Sequence, residues 1–247
     1  MLRSREEVKR EKQVIRERIW RILEDRGVAR FPRPVYGRIP NFEGAERAAG
    51  RLFLTKTWTS ARVVKINPDS PQKPIRYRAL KEEKIVIMPT PKLVHGFLIL
   101  DPRIIPERKY GFAATIRGAF LYGRRVKLVE IPTIDLVVTG SVAVDLSGGR
   151  IGKGGGYSEL EYAILREVGA IEKDVYVATT IHDLQLVDKV PLEEHDLKID
   201  IIATPSRLHF IKPRPLKPPG ILWEILDSDK KKLSVVKELL EIKKKSR

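Results

Sequence analysis

Cysteine is missing from all 247 residues, which excludes disulfides, thiolate nucleophiles and thiolate metal sites. Side-chain amides are almost missing too: Asn41, Asn67, Gln13, Gln72 and Gln185 are the whole supply. Such scarcity beside 48 Lys+Arg and 32 Asp+Glu is the bias of hyperthermophile proteins, so a thermophile surface rich in ion pairs is expected. No stretch approaches eighteen consecutive apolar residues, so no transmembrane helix and no membrane partner are expected. The opening "MLRSREEVKREK" is charged from the start and lacks the apolar core of a signal peptide. A cytoplasmic protein is the natural reading. Aromatics are few, at 7%, and basic residues are not interleaved with them in the way base-stacking proteins require.

What is abundant is positive charge. The net charge is +16, an excess that calls for an anionic partner: a nucleotide, a polyanionic cofactor or nucleic acid. The length suits one large domain, or one domain with an appendage.

Residues 4–25 have a helical period, with Val8, Ile15, Ile19 and Ile22 as the apolar stripe and Gly27 as the stop. Lys12 and Arg16 are i, i+4 neighbours and share a face, either holding an anion or simply solvated. "RFPRPVYGRIPN" (30–41) predicts a rigid extended loop, and Asn41 a cap for a helix beginning at Phe42. Short β-rich runs follow at 61–67, 84–89 and 96–101, with one or two buried strands at 134–145. Further strands are expected at 174–181 and 200–211. Between them a helix is expected over about 157–168, with Ser158 and Glu161 as a capping box. This alternation predicts an α/β fold: a single domain (1–211) with a largely parallel, Rossmann-like sheet flanked by helices. After it, "KPRPLKPPG" marks a linker. "DSDKKKLSVVKELLEIKKKSR" then predicts a basic amphipathic helical tail, within 212–247, with Val236, Leu239 and Leu240 on its apolar side. That helix either packs back on the domain or forms a basic arm.

The most informative stretch is "GGRIGKGGGYSELEYAIL", residues 148–165. It is not a Walker A loop, because Lys153 is followed by glycine rather than Ser or Thr. It is not the dinucleotide fingerprint either, because Tyr157 replaces the third glycine. Its physics still suits an anion. Consecutive backbone N–H groups free of side chains can converge on phosphate oxygens, the following helix N-terminus adds its dipole, and Arg150 and Lys153 add formal charge. A plain tight turn is the competing reading.

The same stretch resembles the signature of the 5-formyltetrahydrofolate cyclo-ligase (methenyltetrahydrofolate synthetase) family, roughly R-[LI]-G-x-G-x-G-Y-Y-D. "IPTIDLVVTGSVAVDLSGG" resembles the family's preceding strand. "PLEEHDLKID" (191–200) resembles its P-x-x-x-x-D-x-x-x-D element, and Lys12 and Arg16 its N-terminal K-x-x-x-R pair. The likeness covers about residues 8–211 and implies a ligase of one-carbon metabolism that uses ATP and Mg²⁺. ATP would phosphorylate the formyl oxygen on N5, N10 would attack the activated carbon, and phosphate would leave to give the 5,10-methenyl form and ADP. By position, Lys12, Arg16, Arg150 and Lys153 would hold phosphates, with Arg150 and Lys153 as the catalytic cations. Gly152, Gly154, Gly155, Gly156 and Tyr157 would wrap the nucleotide, and Glu159 and Asp196 would bind Mg²⁺. Each acid also has a plainer role, Glu159 as a first-turn acid favoured by the helix dipole and Asp196 as a cap.

The sequence departs from the family in two places. Glu159 stands where the family has aspartate, in Tyr157-Ser158-Glu159-Leu160. The segment expected to hold the pterin is "FPRPVYGRIPNFEGAERAA" instead, where Glu43 and Glu46 are the candidate substrate residues. The pattern resembles a divergent, archaeal-type branch. It also resembles the domain of a eukaryotic methenyltetrahydrofolate synthetase domain-containing protein, which is paired there with an RNA-recognition module. The alternatives are therefore a nucleotide-fold protein that binds RNA without cyclo-ligase activity, and a ligase or kinase acting on another small substrate.

Overall fold

The computed structural model describes residues 4–245; residues 1–3 and 246–247 lie outside it. Helix α1 (Arg5–Asp25) opens on a capping box in which the Ser4 hydroxyl accepts from the Glu7 N–H at 3.2 Å and the Glu7 carboxylate accepts from the Ser4 N–H at 2.7 Å. β1 (Ala29–Arg30) and β2 (Asn41–Phe42) pair antiparallel at the two ends of the proline-rich loop. α2 (Ala45–Phe53), α3 (Lys56–Ser60), β3 (Val63–Ile66), α4 (Lys73–Lys81), β4 (Ile85–Pro89) and β5 (Phe97–Leu100) follow. Next come α5 (Tyr110–Ala113), α6 (Ile116–Tyr122), β6 (Arg124–Val126) and β7 (Leu136–Thr139). A hairpin of β8 (Ala143–Val144) and β9 (Arg150–Ile151) leads to α7 (Tyr157–Glu167), β10 (Tyr176–Thr180), β11 (Ile201–Ala203) and β12 (Leu208–Phe210). The chain then passes through α8 (Ser228–Lys231) to α9 (Ser234–Lys245).

One eight-stranded sheet in the order β12-β11-β10-β7-β3-β4-β5-β6 organises the molecule. Its centre, β11-β10-β7-β3-β4, is parallel; β12 at one edge and β5 and β6 at the other are antiparallel. The α/β expectation is met. The central strands are continuous buried runs because helices cover both faces, as parallel sheets require. Alternation assigns the faces: Val64, Ile66, Leu136 and Val138 pack with α2, α3 and α4, whereas Val63, Val137 and Val177 pack with α7 and α9.

Three sequence-based expectations are corrected. α2 begins at Ala45, capped by Gly44 at φ 83°, and not at Phe42; Asn41 lies in β2, where its amide donates to the Phe31 carbonyl. The buried stripe of α1 runs Val8, Lys12, Arg16, Ile19, Trp20 and Leu23, leaving Ile15 and Ile22 only half-buried. The stripe therefore passes through the two cations, which places them inside the fold rather than on a solvated face. In the tail, Val235, Val236 and Leu239 are buried while Leu240 is 39% exposed. α9 thus packs into the core face shared with α7.

Because Leu239 is fully buried in that cluster, Leu239→Ala is expected to lower unfolding free energy by about 2–5 kcal/mol, read as a shift in the urea midpoint. A change inside about 0.5 kcal/mol, the scale of surface substitutions, would show that the tail contributes nothing to the core.

Candidate active site

The chain runs from β3 to β4 on one side of the sheet and later adds β7 on the other side of β3. The loops leaving the carboxyl ends of β3 and β7 therefore diverge, and the crevice between them is the usual ligand position in an open α/β sheet. Residues 67–69 follow β3, Gly140 and Ser141 follow β7, and the glycine loop follows β9.

The glycines divide into two groups. Gly148 (φ +88°) and Gly149 serve the hairpin turn. A Cβ on Gly148 would lie 2.5 Å from the Ile199 carbonyl, and one on Gly149 2.6 Å from the Asp145 carboxylate. That carboxylate accepts from the N–H groups of Ser147, Gly149 and Val190 and staples the turn. The later glycines behave differently. Among the described residues, none of the backbone N–H groups from 153 to 157 donates to a protein acceptor. Gly154 (φ +100°) and Gly156 (φ +63°) hold left-handed conformations that strain any L side chain. The first half of the loop is thus a tight turn, and the second half leaves its backbone donors without a protein acceptor.

Cations surround those free donors, each already paired. The Arg150 guanidinium, with its side chain 1% exposed, donates to the Gly140 carbonyl at 2.8 Å and to the Glu159 carboxylate at 2.6 Å. Arg16 donates to the Gly152 carbonyl at 2.8 Å; burial pulls its pKa below the ordinary value. The Lys12 ammonium bonds Asp196 at 2.6 Å and Glu193 at 2.9 Å, and Lys153 reaches Asp69 at 3.0 Å. Burial disfavours the Glu159 carboxylate, but Arg150 and the residue's own backbone N–H, with His195 and Lys12 farther off, hold its carboxyl below the ordinary value. The cleft encloses about 880 Å³ and is lined by Lys12, Arg16, Arg150, Gly154, Glu159 and Asp196 together with residues of the C-terminal segment.

The sequence matches the 5-formyltetrahydrofolate cyclo-ligase family over residues 8–205. The chain belongs to that family. It is 41% identical over 240 residues to a methenyltetrahydrofolate synthase domain-containing protein of Mus musculus, covering 95% of this chain and 64% of the relative. The Bos taurus protein of the same name is 44% identical over 216 residues, covering 86% of this chain and 57% of the relative. This chain thus spans somewhat under two thirds of those relatives. In fold it is similar to the solution structure of an Aquifex aeolicus 5,10-methenyltetrahydrofolate synthetase, with a TM-score of 0.52 and 17% identity over 83% of this chain and 96% of that one.

Lys12, Arg16, Arg150, Gly152, Gly154, Gly155, Gly156, Tyr157, Glu159 and Asp196 line one cleft, Lys153 reaches away from it to Asp69, and the two substrate candidates lie elsewhere. Glu43 instead pairs with Arg30 at 2.6 Å at the β1–β2 corner, half exposed. Glu46 lines a second cavity of about 1290 Å³ with Phe31, Ser70, Lys73 and Arg117. Pro68 and Ser70 border the second cavity, and Asp69 between them pairs with Lys153 of the glycine loop. Buried Arg76 fixes that segment by donating to the carbonyls of Asn67, Asp69 and Ala114; desolvation lowers its pKa to about 10.

Sequence reasoning missed the layer beneath the loop. Glu161 is not half of a capping box, since α7 is capped by Gly156. Its carboxylate accepts from the enclosed Lys65 ammonium at 2.6 Å, and the Asn67 amide bridges Glu161 and the Ser158 hydroxyl. Burial raises the Glu161 pKa against the pull of Lys65. The available signal was a lysine inside "VVKI", an otherwise apolar strand that must supply it with an anion. Among the described residues Glu193, His195 and Asp196 also bring one ligand atom each to within 4.8 Å of one another. Glu159 is not in that group, and faces Arg150 instead.

Lys65→Met leaves Glu161 buried without its partner and is expected to cost about 3–5 kcal/mol of stability, whereas Lys65→Met with Glu161→Gln costs clearly less; urea denaturation of the four members of the cycle measures this. Glu159 gives a pH dependence. Its carboxyl is held below the ordinary value of 4.5, so its contribution is complete above that pH and is lost as pH falls through the lowered value. Wild type should therefore lose stability more steeply than Glu159→Gln between about pH 5 and pH 3, seen as converging urea midpoints.

Proposed function

We propose that this chain catalyses the ATP- and Mg²⁺-dependent cyclisation of 5-formyltetrahydrofolate, or a related reduced pterin, to the 5,10-methenyl form with release of ADP and phosphate. The observation that carries the reading is the run of unpaired N–H groups over 153–157, with Arg16, Arg150 and Lys153 around it. The formyl oxygen of the substrate is a poor leaving group until it receives the γ-phosphoryl group. N10 then bonds to the formyl carbon and loses its proton as the carbon–oxygen bond to phosphate breaks.

Such a transfer needs positioning and neutralised charge more than covalent help. The glycine-loop amides and the α7 N-terminus hold phosphate oxygens. Lys153, with its side chain 46% exposed, can turn from Asp69 to the transferring group. Arg150, fixed by the Gly140 carbonyl, keeps its charge at a set place. Glu159 and Asp196 border the cleft and suit Mg²⁺, which takes few protein ligands and keeps its waters. Lys12 and Arg150 now pair with these carboxylates; with Mg²⁺ held there, the Lys12 ammonium would be free to turn toward phosphate while Arg150 keeps its place. The cavity of Glu46, Lys73 and Arg117 receives the pterin and its acidic tail. No helix among the described residues is long and apolar enough to cross a membrane; a cytoplasmic setting completes the reading.

The test is absorbance in the methenyl-pterin band with protein, Mg-ATP and 5-formyltetrahydrofolate. Wild type should show an ATP-dependent rise, and Lys153→Ala a rate lower by about 10²-fold, the effect of losing one transition-state donor. ATP binding without a rise would move the substrate to another small acid. Loss of both would return the positive charge to nucleic acid.

A further inference from the structure

The match to the family ends at residue 205, yet the cleft does not. Its lining includes Pro218, Ile221, Ile225, Leu226, Asp227 and Lys230. The match to the Mus musculus relative covers 95% of this chain and so runs on into this segment.

The segment is anchored before and after the cleft. Arg214 and Lys217 bond the fully enclosed Asp200 carboxylate at 3.1 and 2.8 Å, and the Arg214 guanidinium stacks 3.7 Å over Tyr176. The Ile221 N–H donates to Glu167, at the end of α7, at 2.8 Å. Beyond the cleft, Val235, Val236 and Leu239 lock α9 into the core. Between these anchors the chain passes over the glycine loop. The Lys230 ammonium stands 5.7 Å from the Tyr157 ring centroid and 2.9 Å from where a Cβ on Gly156 would be. Its side chain is 16% exposed, and its partner Asp227, at 2.8 Å, is largely in solvent.

We propose that residues 218–230 form a second wall of the nucleotide cleft, in which Lys230 is a phosphate-binding residue and the apolar side chains of Ile221, Ile225 and Leu226 cover the base. Four features support this. The ammonium is at the N-terminus of α7, where the loop's free N–H groups and the helix dipole already favour an anion. Its present partner is an exposed aspartate, a weak hold that a polyphosphate can displace. Glycine at 156 leaves the space that the lysine enters. Buried Ile221 and half-buried Ile225 and Leu226 beside a polar loop make the mixed lining that small-molecule sites use. The inference rests on the nucleotide reading of the cleft proposed above.

Calorimetric titration of the full chain with Mg-ATP and with adenosine separates the outcomes. Lys230→Ala is expected to weaken ATP binding about ten- to hundredfold, the worth of one charge-assisted hydrogen bond, and to leave adenosine binding unchanged. Lys230→Arg should restore most of the ATP affinity. Asp227→Asn should keep or raise it, because it frees the ammonium. Equal ATP affinity in wild type and Lys230→Ala would overturn the inference while the nucleotide reading stands. Equal losses in Lys230→Ala and Asp227→Asn would do the same, assigning the lysine to holding its own loop. A wild type that binds no ATP would remove the nucleotide reading and this inference with it. If Lys230→Ala does not fold, Lys230→Gln replaces it under the same criteria.

Discussion

An ammonium group enclosed within a parallel sheet needs a carboxylate, and in this protein that need sets the site. Lys65 points from β3 to the α7 face of the sheet and has no water to turn to. Only a group on the covering helix can answer it, and Glu161 does, with Asn67 as a further acceptor. The pair fixes the rotation of α7 about its axis as well as its distance from β3. Once α7 is set, its N-terminus points into the crevice where the strand order reverses, and the glycine loop must arrive at that point. A buried pair adds little net stability over a well-packed apolar contact. Here it specifies a register between strand and helix that apolar packing alone would leave free to slip.

The charges above it follow a common pattern. Four cations near the glycine loop have a carboxylate partner, Lys12 with Asp196, Arg150 with Glu159, Lys153 with Asp69 and Lys230 with Asp227, while Arg16 is held by the Gly152 carbonyl. The excess positive charge of the chain is thus not left bare in the cleft. Paired cations are held at defined positions before any ligand arrives, so reorganisation on binding is confined to exchanging partners. Preorganisation of this kind is where electrostatic catalysis gains most.

Much of this arrangement was legible in the sequence, for identifiable reasons. The strands stand out as continuous apolar runs because a doubly covered sheet has no polar face. The glycine loop stands out because neither common phosphate motif accounts for it. Lys12 and Arg16 could be paired by spacing, but only the structure shows that the buried stripe of α1 runs through them. Glu161 was misread because S-x-x-E fits a capping box; the left-handed Gly156 capped the helix instead, and Lys65, ninety-six positions earlier in the chain, had the stronger claim. Lys230 had no local signal at all. Its importance lies in where the chain returns, and that is decided by Asp200, Glu167 and the core side of α9.

That return has a consequence for how the protein assembles. The cleft takes Lys12 and Arg16 from the first helix and Lys230 from near the last, so its walls come from opposite ends of the chain. Contacts so remote in sequence carry the largest loop-closure penalty and form late. The sheet can be complete while the cleft is still open on two sides. A molecule bound between those walls would act as a reversible crosslink between the chain's two ends and stabilise the final closure more than the sheet beneath it. Occupancy and the last step of folding are then the same event seen from two directions.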